Sequence, residues 1–347
     1  MLDQLEVPIV QAPMAGGPST PELAAAVAGA GGLGFVAAGY LSPEALSDRL
    51  ARTRALTDRP FGVNLFAPTG APADPAVVAR YADALRGEAE RTGVALGEPR
   101  FDDDAFAAKL ALLEETPVAV VSFAFGCPPA ETLARVRATG AAAWVTVTEP
   151  AEAEAAVAAG ADGLVVQGVE AGGHRGAFVD RPDRVDYGLL ALLQLVGARV
   201  DVPLVATGGI TTGRAVAAVL AAGAAAAQIG TAFMRCPEAG TSAPHRAALA
   251  SDRPTGLTRA FSGRLARGIV NRLQAEHSPD APIAYPEIHH VTAPLRAAAR
   301  QAGDGEVINL WAGEAHALAT ELPAAAVVAA LMDEARAALT AAQGRLG

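Results

Sequence analysis

The sequence predicts an α/β fold, specifically a (β/α)8 TIM barrel with an additional smaller lobe inserted after the eighth strand. The chain has 347 residues, of which 51% are hydrophobic and 18% charged, as expected for a well-packed globular protein of enzyme size. Eight short apolar runs are predicted strands, and Ala-rich helical stretches separate most of them, as in a parallel sheet. A barrel of about 250 residues plus a lobe fits the length as well as two domains do, and the strand count favours the barrel.

Each predicted strand is an apolar run bounded by turn residues. The runs are continuously apolar, which is typical of strands covered on both faces. They cover residues 9–14, 34–38, 61–66, 118–125, 142–147, 163–167, 203–207 and 225–229.

Helices are predicted between the strands, for example over residues 20–28, 149–159 and 212–222. Hydroxyl side chains stand just before Pro or Glu where the first two of these helices begin, and a glycine follows where each of the three ends. The closing glycines are Gly29, Gly160 and Gly223.

Two segments do not fit the repeat, residues 67–117 and 236–311. The second is richer in Arg, His, Pro and Tyr, so we expect it to cover the mouth of the barrel. The predicted division is a cofactor-binding barrel over residues 1–235, closed by a helix over 322–346, and a substrate-side lobe over 236–315.

Composition limits the binding partners and the cellular compartment that we expect for this protein. The formal net charge of −10 opposes binding to nucleic acid or to anionic membranes. Cys127 and Cys236 show neither a disulfide pattern nor metal-ligand spacing, and the adjacent pair His289 and His290 cannot form an i, i+4 metal site. With no export signal or apolar span recognised, we expect a cytoplasmic protein without a metal. The oligomeric state stays open.

The most informative stretch is residues 167–176, because it ends a strand and places a histidine among glycines. Glycines allow positive φ angles and close approach to a ligand, and imidazole titrates near neutral pH. We therefore predict that His174 is a general base or a substrate-orienting donor. The alternative is a loop histidine bonded to backbone.

Glycines after the seventh and eighth strands, at Gly208, Gly209 and Gly230, predict a phosphate site, since these barrel loops present backbone N–H groups to phosphate. The motif GxGxxG at residues 29–34 does not predict a phosphate site, because it follows a helix and precedes a strand, which is the reverse of the order in a dinucleotide-binding turn.

Three carboxamides, Asn64, Gln167 and Gln228, interrupt apolar strands near their carboxyl ends. Each alone could be a satisfied interior amide. Together they favour a heterocyclic cofactor, because carboxamides donate to and accept from ring edges and ribityl hydroxyls.

Several of these blocks resemble the signature blocks of class I nitronate monooxygenases, formerly called 2-nitropropane dioxygenases. The resemblance covers most of the barrel and continues into the second excursion. Its blocks are residues 11–17, 64–66, 121–128, 167–176, 259–264, 267–271 and 310–313.

The resemblance implies an FMN enzyme that oxidises alkyl nitronates, notably propionate 3-nitronate, with O2 to a carbonyl compound and nitrite without NAD(P)H. It places His174 at the active site, to deprotonate a nitroalkane or to orient a nitronate. Met14 would lie beside the flavin ring. The other implied FMN contacts are Asn64, Gln167, Gly172, Gly209, Gln228, Ile229, Gly230 and Thr231.

Two alternatives remain open. An FMN-dependent enoyl-acyl carrier protein reductase II has a similar barrel and glycine-histidine stretch but takes hydride from NAD(P)H. A non-catalytic flavin-binding barrel is the third hypothesis. An anionic nitronate needs a positive or hydrogen-bonding partner, and for each candidate a packing or surface role is the alternative. The candidates are Arg175, Arg264, Arg267, Tyr285 and Arg296.

Overall fold

The computed structural model describes residues 2–68 and 70–346. Its strands are β1 (Ile9–Gln11), β2 (Gly34–Ala37), β3 (Phe61–Phe66), β4 (Val120–Ala124), β5 (Ala142–Val147), β6 (Gly163–Gln167), β7 (Gly173–His174), β8 (Leu204–Thr207), β9 (Ala226–Ile229), β10 (Thr255–Thr258) and β11 (Ala266–Ile269). Its α-helices are α1 (Pro21–Gly29), α2 (Pro43–Leu56), α3 (Pro75–Ala84), α4 (Arg86–Thr92), α5 (Phe106–Glu115), α6 (Ala130–Ala138), α7 (Pro150–Ala158), α8 (Leu189–Gly197), α9 (Gly213–Ala221), α10 (Ala243–Leu249), α11 (Arg272–His277), α12 (Glu287–Ala302) and α13 (Ala324–Leu346).

The predicted (β/α)8 barrel is confirmed. All eight predicted strands form one sheet in the order β1-β9-β8-β6-β5-β4-β3-β2, and every neighbouring pair is parallel. The sheet closes between β1 and β2 through Leu33, whose N–H donates to Ile9 O at 2.9 Å and whose carbonyl accepts from Gln11 N at 2.9 Å. Closure brings the carboxyl ends of all eight strands to one mouth.

Gln11 reinforces this seam with its side chain. It is fully buried, its Oε1 accepts from Phe35 N at 2.9 Å, and its Nε2 donates to Ser19 Oγ at 2.9 Å. Ser19 Oγ also accepts from Met14 N at 2.8 Å. One buried amide therefore completes the β1–β2 seam and fixes the loop that carries Met14 to the mouth.

The barrel is filled at its amino-terminal end by an apolar cluster. Its members come from seven strands and contact one another, so they lie inside the barrel. Trp144 is the largest, and its ring lies 6.1 Å from that of Phe35. A larger cluster packs the outer strand faces against the helices. The interior is thus a packed core below the mouth rather than a channel.

The cap predicted for α1 is confirmed, and α9 is capped in the same way, but α7 follows Glu149 without a side-chain cap and Thr148 Oγ1 instead donates to Glu152 Oε2 at 3.0 Å. Thr20 Oγ1 accepts from Leu23 N at 3.0 Å and Thr212 Oγ1 from Ala215 N at 3.3 Å, so each threonine lies one residue before its helix. The predicted closing helix is α13, which packs against α9 and α1. Gly213 permits this contact, because a Cβ there would lie 2.2 Å from Leu331 O.

The first excursion contains α3, α4 and α5, and α5 returns to the barrel wall. Its Lys109 is buried, with Nζ 2.7 Å from Asp104 Oδ2 and donating to Ala38 O at 3.0 Å. The charge is thus neutralised where the loop after β2 meets the excursion.

The two excursions pack together beside the mouth. An apolar cluster joins α3 to α12, with Tyr81 of the first excursion and Ile288 of the second among its members. Buried Glu88 on α4 accepts from Arg272 on α11 at 2.7 and 2.8 Å. Burial opposes ionisation of Glu88, but hydrogen bonds from Arg272, His277 and Arg91 outweigh it and lower the pKa of Glu88 to about 2. Its oxygens are therefore held by cations, which leaves this cluster unsuited to a metal ion.

The glycine stretch after β6 differs from the predicted loop. Gly173 and His174 form β7, which pairs antiparallel with β11 through Arg267 and Ala266 respectively. With β10 they make a three-stranded sheet. The histidine therefore sits on a strand that joins the barrel to the second excursion.

No helix among the described residues is long and apolar enough to cross a membrane.

We predict that Gln11→Leu lowers the free energy of unfolding by about 1–3 kcal/mol, because the buried Phe35 N–H loses its acceptor. Urea denaturation of the purified protein measures this change. The control is Gln194→Leu on the exposed face of α8, where we expect a change below about 0.5 kcal/mol. Equal stability of the two variants would show that the side chain of Gln11 does not support the seam.

Candidate active site

A cavity of about 460 Å³ opens at the carboxyl ends of the barrel strands. This is the end at which TIM-barrel active sites lie. Each of the eight barrel strands, or the loop that follows it, contributes lining residues. Helices α10 and α12 of the second excursion and the segment near residue 311 line the rest. From the strands and their loops come Met14, Tyr40, Asn64, Phe125, Thr146, Gln167, Gly208 and Gly230.

His174 lines this cavity, as the sequence predicted for an active-site histidine. Its ring lies 5.4 Å from that of Trp311 and 5.7 Å from that of Phe125. Burial, helped by the positive charges of Arg264 and Arg296, lowers the pKa of His174 to about 3. The imidazole is therefore neutral at neutral pH, with a proton on one ring nitrogen and a lone pair on the other.

Ser262 fixes the orientation of this imidazole. Its Oγ lies 2.8 Å from Nε2 of His174 and donates to Arg264 O at 3.2 Å. Within the described residues, Nδ1 of His174 has no hydrogen-bond partner, and it is not among the fully enclosed unpaired atoms. Nδ1 is therefore the ring nitrogen open to a ligand.

The three carboxamides all line the cavity, but their partners differ. Asn64 Nδ2 donates to Ser122 Oγ at 3.0 Å. Gln167 is used within the protein, since its Oε1 accepts from Gly176 N at 2.8 Å and its Nε2 donates to His174 O at 3.1 Å. Gln228 Oε1 is buried and accepts no hydrogen bond from the part of the chain that the structure describes. Gln167 thus holds the histidine segment, while Gln228 has an unused acceptor.

The part of the cavity lined by Gly208, Gly209 and Gly230, which we call the glycine end, has the features of an anion site. Gly208 and Gly209 have φ angles of 124° and 66°, and they precede α9. Within the described residues, the backbone N–H groups of Gly209, Ile210 and Gly230 make no hydrogen bond. Thr241 Oγ1, which is buried and belongs to a lining residue of the same cavity, also has no partner among the described residues. Free amides on the loops after β8 and β9 and unpaired buried polar atoms fit a phosphate and a polar cofactor.

Three predicted cofactor contacts need separate comment. Thr231 lines the cavity, and its Oγ1 accepts from Gly313 N at 3.0 Å. Gly172 also lines it, but a Cβ there would lie 2.4 Å from Gly313 N, so packing alone requires this glycine. Ile229 does not line the cavity; its side chain packs in the core between strands and helices, because alternate residues of a strand face opposite sides.

The five candidate partners for an anionic substrate differ in whether they line the cavity. Arg175 donates to Gln167 and Gly168 carbonyls, Arg264 donates to the carbonyls of Arg175 and Ala177, and Arg267 bonds Val169 O and Glu314. These three are structural and lie outside the cavity lining, as does Tyr285, whose ring is 5.8 Å from that of His174. Of the five candidates, Arg296 alone lines the cavity.

Sequence reasoning missed residues that the second excursion brings to the site. His289, considered only as a metal ligand, stacks on Tyr40 with ring centres 4.2 Å apart. Arg300 and Asn309 line the cavity beside Arg296. The spacing of Arg296 and Arg300, four residues apart on a helix, was the available signal, because it places both on one face.

Comparison with known proteins gives a consistent result. The family model described as nitronate monooxygenase matches residues 1–334. A nitronate monooxygenase of Pseudomonas aeruginosa is 43% identical and aligns over 96% of this chain and 97% of its own length. The structure of nitroalkane oxidase from Streptomyces ansochromogenes has a TM-score of 0.95 and 52% identity, over 98% of this chain and 99% of that one.

A structure of FabK from Thermotoga maritima is less similar, with a TM-score of 0.78 and 25% identity over 99% of this chain and 97% of that one. The matches extend over barrel and excursions alike, so they cover the whole site. The chain therefore belongs to the nitronate monooxygenase family, a family of flavin-dependent oxidoreductases.

Proposed function

We propose that this enzyme uses FMN and O2 to oxidise alkyl nitronates, such as propionate 3-nitronate, to a carbonyl compound and nitrite without NAD(P)H. The observation that carries the proposal is neutral His174, with Nδ1 open to the cavity that also contains the free amides of the glycine end. Family membership supports the reaction type.

The FMN assignment rests on the polar groups of the cavity. The amides of Gly209 and Gly230, with Thr231, would hold the phosphate. Asn64 and Gln228 would face the polar edge of the ring or the ribityl chain, and Met14 would lie beside the ring. Bound flavin supplies the electron acceptor that side chains lack.

We assign the proton chemistry to Nδ1 of His174. In the tautomer with a proton on Nε2, that proton goes to Ser262 Oγ, and the serine proton goes to the carbonyl of Arg264. Every proton in this chain then has an acceptor, and Nδ1 keeps its lone pair. It can take a proton from a neutral nitroalkane. In the other tautomer Ser262 Oγ donates to Nε2, and Nδ1–H donates a hydrogen bond to an oxygen of an anionic nitronate.

The division of labour follows the two parts of the chain. The barrel over residues 1–235 supplies the glycines and carboxamides of the cofactor end, and the lobe over 236–315 supplies Ser262, His289 and Arg296. Trp311, together with Phe125 from the barrel, encloses His174 in apolar surface. This enclosure limits water at the reacting atoms and keeps the imidazole neutral.

The reductase alternative differs in its electron donor. Under anaerobic conditions we expect propionate 3-nitronate to bleach the flavin absorbance of the purified protein, while NADPH leaves it unchanged. Stopped-flow absorbance measures both reactions on one sample. Rapid bleaching by NADPH, with none by the nitronate, would assign the enzyme to the reductases.

We predict that His174→Ala retains bound FMN but lowers kcat/KM for nitronates by about 100-fold or more, since it removes the ring nitrogen Nδ1 that would hydrogen-bond and orient the nitronate. Steady-state oxygen consumption gives kcat/KM, and the flavin-to-protein absorbance ratio gives the loading. His290→Ala is the matched control, because His290 bonds Asp102 outside the cavity lining. Unchanged turnover in a fully loaded His174→Ala protein would refute the assigned role.

Gly209→Asp should yield protein without FMN, because a carboxylate would face the phosphate. Gly209→Ala separates charge from backbone strain, since both variants place a Cβ at φ 66°, a conformation costing about 1–2 kcal/mol. The flavin content of each variant after gel filtration measures the two effects: Gly209→Ala reports the strain alone, and Gly209→Asp reports the strain and the charge together. If Gly209→Asp is yellow and fully loaded, the phosphate does not lie at this loop.

A further inference from the structure

Two arginines on α12 form a cationic end of the cavity. None of the proposed cofactor contacts lies among them. Arg296 and Arg300 both line the cavity, together with Asn309. They are four residues apart on one helix, so they project from the same face. We call Arg296, Arg300 and Asn309 the α12 cationic end.

Neither arginine has an anionic partner. Within the described residues, no carboxylate lies within 4.0 Å of either guanidinium, although most other arginines of the chain form such pairs. Arg296 is 6% exposed. Burial and the positive charge of Arg300 together lower the pKa of Arg296 to about 10. Arg296 therefore still carries its proton at neutral pH. A buried cation without a counter-ion is costly, and an anionic ligand would compensate it.

The neighbouring groups orient the guanidinium groups but leave donors free. Arg296 Nε donates to Thr292 Oγ1 at 3.1 Å, and its Nη2 donates to His289 O at 2.8 Å and lies 3.3 Å from His289 Nδ1. Its Nη1 donates to Asn309 Oδ1 at 3.5 Å, which leaves one Nη1 proton of Arg296 free. Arg300 Nη2 donates to Asn309 Oδ1 at 2.7 Å, while its Nε and Nη1 make no hydrogen bond with a described residue. All these partners are neutral, because burial and the charge of Arg296 lower the pKa of His289 to about 2.

The α12 cationic end and His174 face the same cavity. The positive charge of Arg296 is among the causes that lower the pKa of His174, so the two groups interact across the cavity. His174 and the two arginines therefore border the space that one ligand in this cavity would occupy. The rigid fork of guanidinium matches the two oxygens of a carboxylate.

We infer that Arg296 and Arg300 bind a carboxylate on the substrate and so select nitronates that carry one over unsubstituted alkyl nitronates. This inference rests on the proposed nitronate oxidation and adds the residues that set its specificity. In this arrangement the arginines hold the far end of the substrate, and they take no part in proton transfer at His174.

The test compares propionate 3-nitronate with propyl 1-nitronate, which has the same carbon chain length and no carboxylate. We expect Arg296→Gln and Arg300→Gln each to lower kcat/KM about 10- to 100-fold for the carboxylated substrate, the range for a lost charged hydrogen bond. Propyl 1-nitronate should change less than about threefold. Arg296→Lys should recover part of the loss, since it restores the charge without the fork.

The control variant is Arg336→Gln, an exposed arginine of α13 paired with Asp333, which should change neither substrate. An equal loss for both nitronates in the α12 variants, or a wild-type enzyme that does not prefer the carboxylated one, would overturn the inference. Circular dichroism and flavin loading confirm that each variant is folded.

A binding measurement separates this inference from the proposed function. Isothermal titration calorimetry of the flavin-loaded protein with succinate should show binding that Arg296→Gln weakens about 10-fold or more, while neutral succinamide should not bind. If neither nitronate is oxidised but succinate binds through Arg296, the proposed reaction fails and the carboxylate site stands. Equal binding of succinate and inorganic phosphate, or succinate binding unaffected by Arg296→Gln, would refute the site.

Discussion

The whole arrangement depends on closing the parallel sheet between its first and second strands. Leu33 supplies the backbone hydrogen bonds at this seam, and the buried amide of Gln11 supplies the acceptor for Phe35 N. Closure forces eight carboxyl ends to one mouth, so a carboxamide on β3 and a glycine after β9 share one cavity although they are far apart in sequence. Because Gln11 also positions Ser19, the seam and the Met14 loop form one unit.

The site lies at the contact between the barrel and the second excursion. β7 and β11 pair over two residues, and this pairing sets the position of His174 relative to Ser262 and α12. Neutral groups then surround the imidazole while cations stand further away, which keeps it unprotonated. The same arginines give an acidic chain a locally positive cavity, so an anion can enter despite the overall charge.

The barrel strands and the position of His174 in the cavity could be predicted because their signals are local. Strands β3, β5 and β6 have the predicted bounds, since each is an apolar run ended by a polar or turn residue. Strand β7 could not be predicted, because two residues carry no periodicity and their partner strand lies far along the chain. The family resemblance implied Ile229 as a cofactor contact, whereas strand alternation turns its side chain toward the helices. The roles of Arg300 and Asn309 depend on how α12 crosses the mouth, which no local pattern encodes.

The buried ion pair of Lys109 with Asp104 has a chemical consequence beyond packing. Lys109 is the only lysine in the sequence, whereas arginine supplies the other 26 of the 27 basic side chains counted as Lys or Arg. The proposed reaction releases carbonyl compounds, and carbonyl compounds condense with lysine amines to imines. Guanidinium groups stay protonated and are far poorer nucleophiles. With its one ε-amine enclosed, the enzyme exposes no lysine side chain that its own product could modify during turnover.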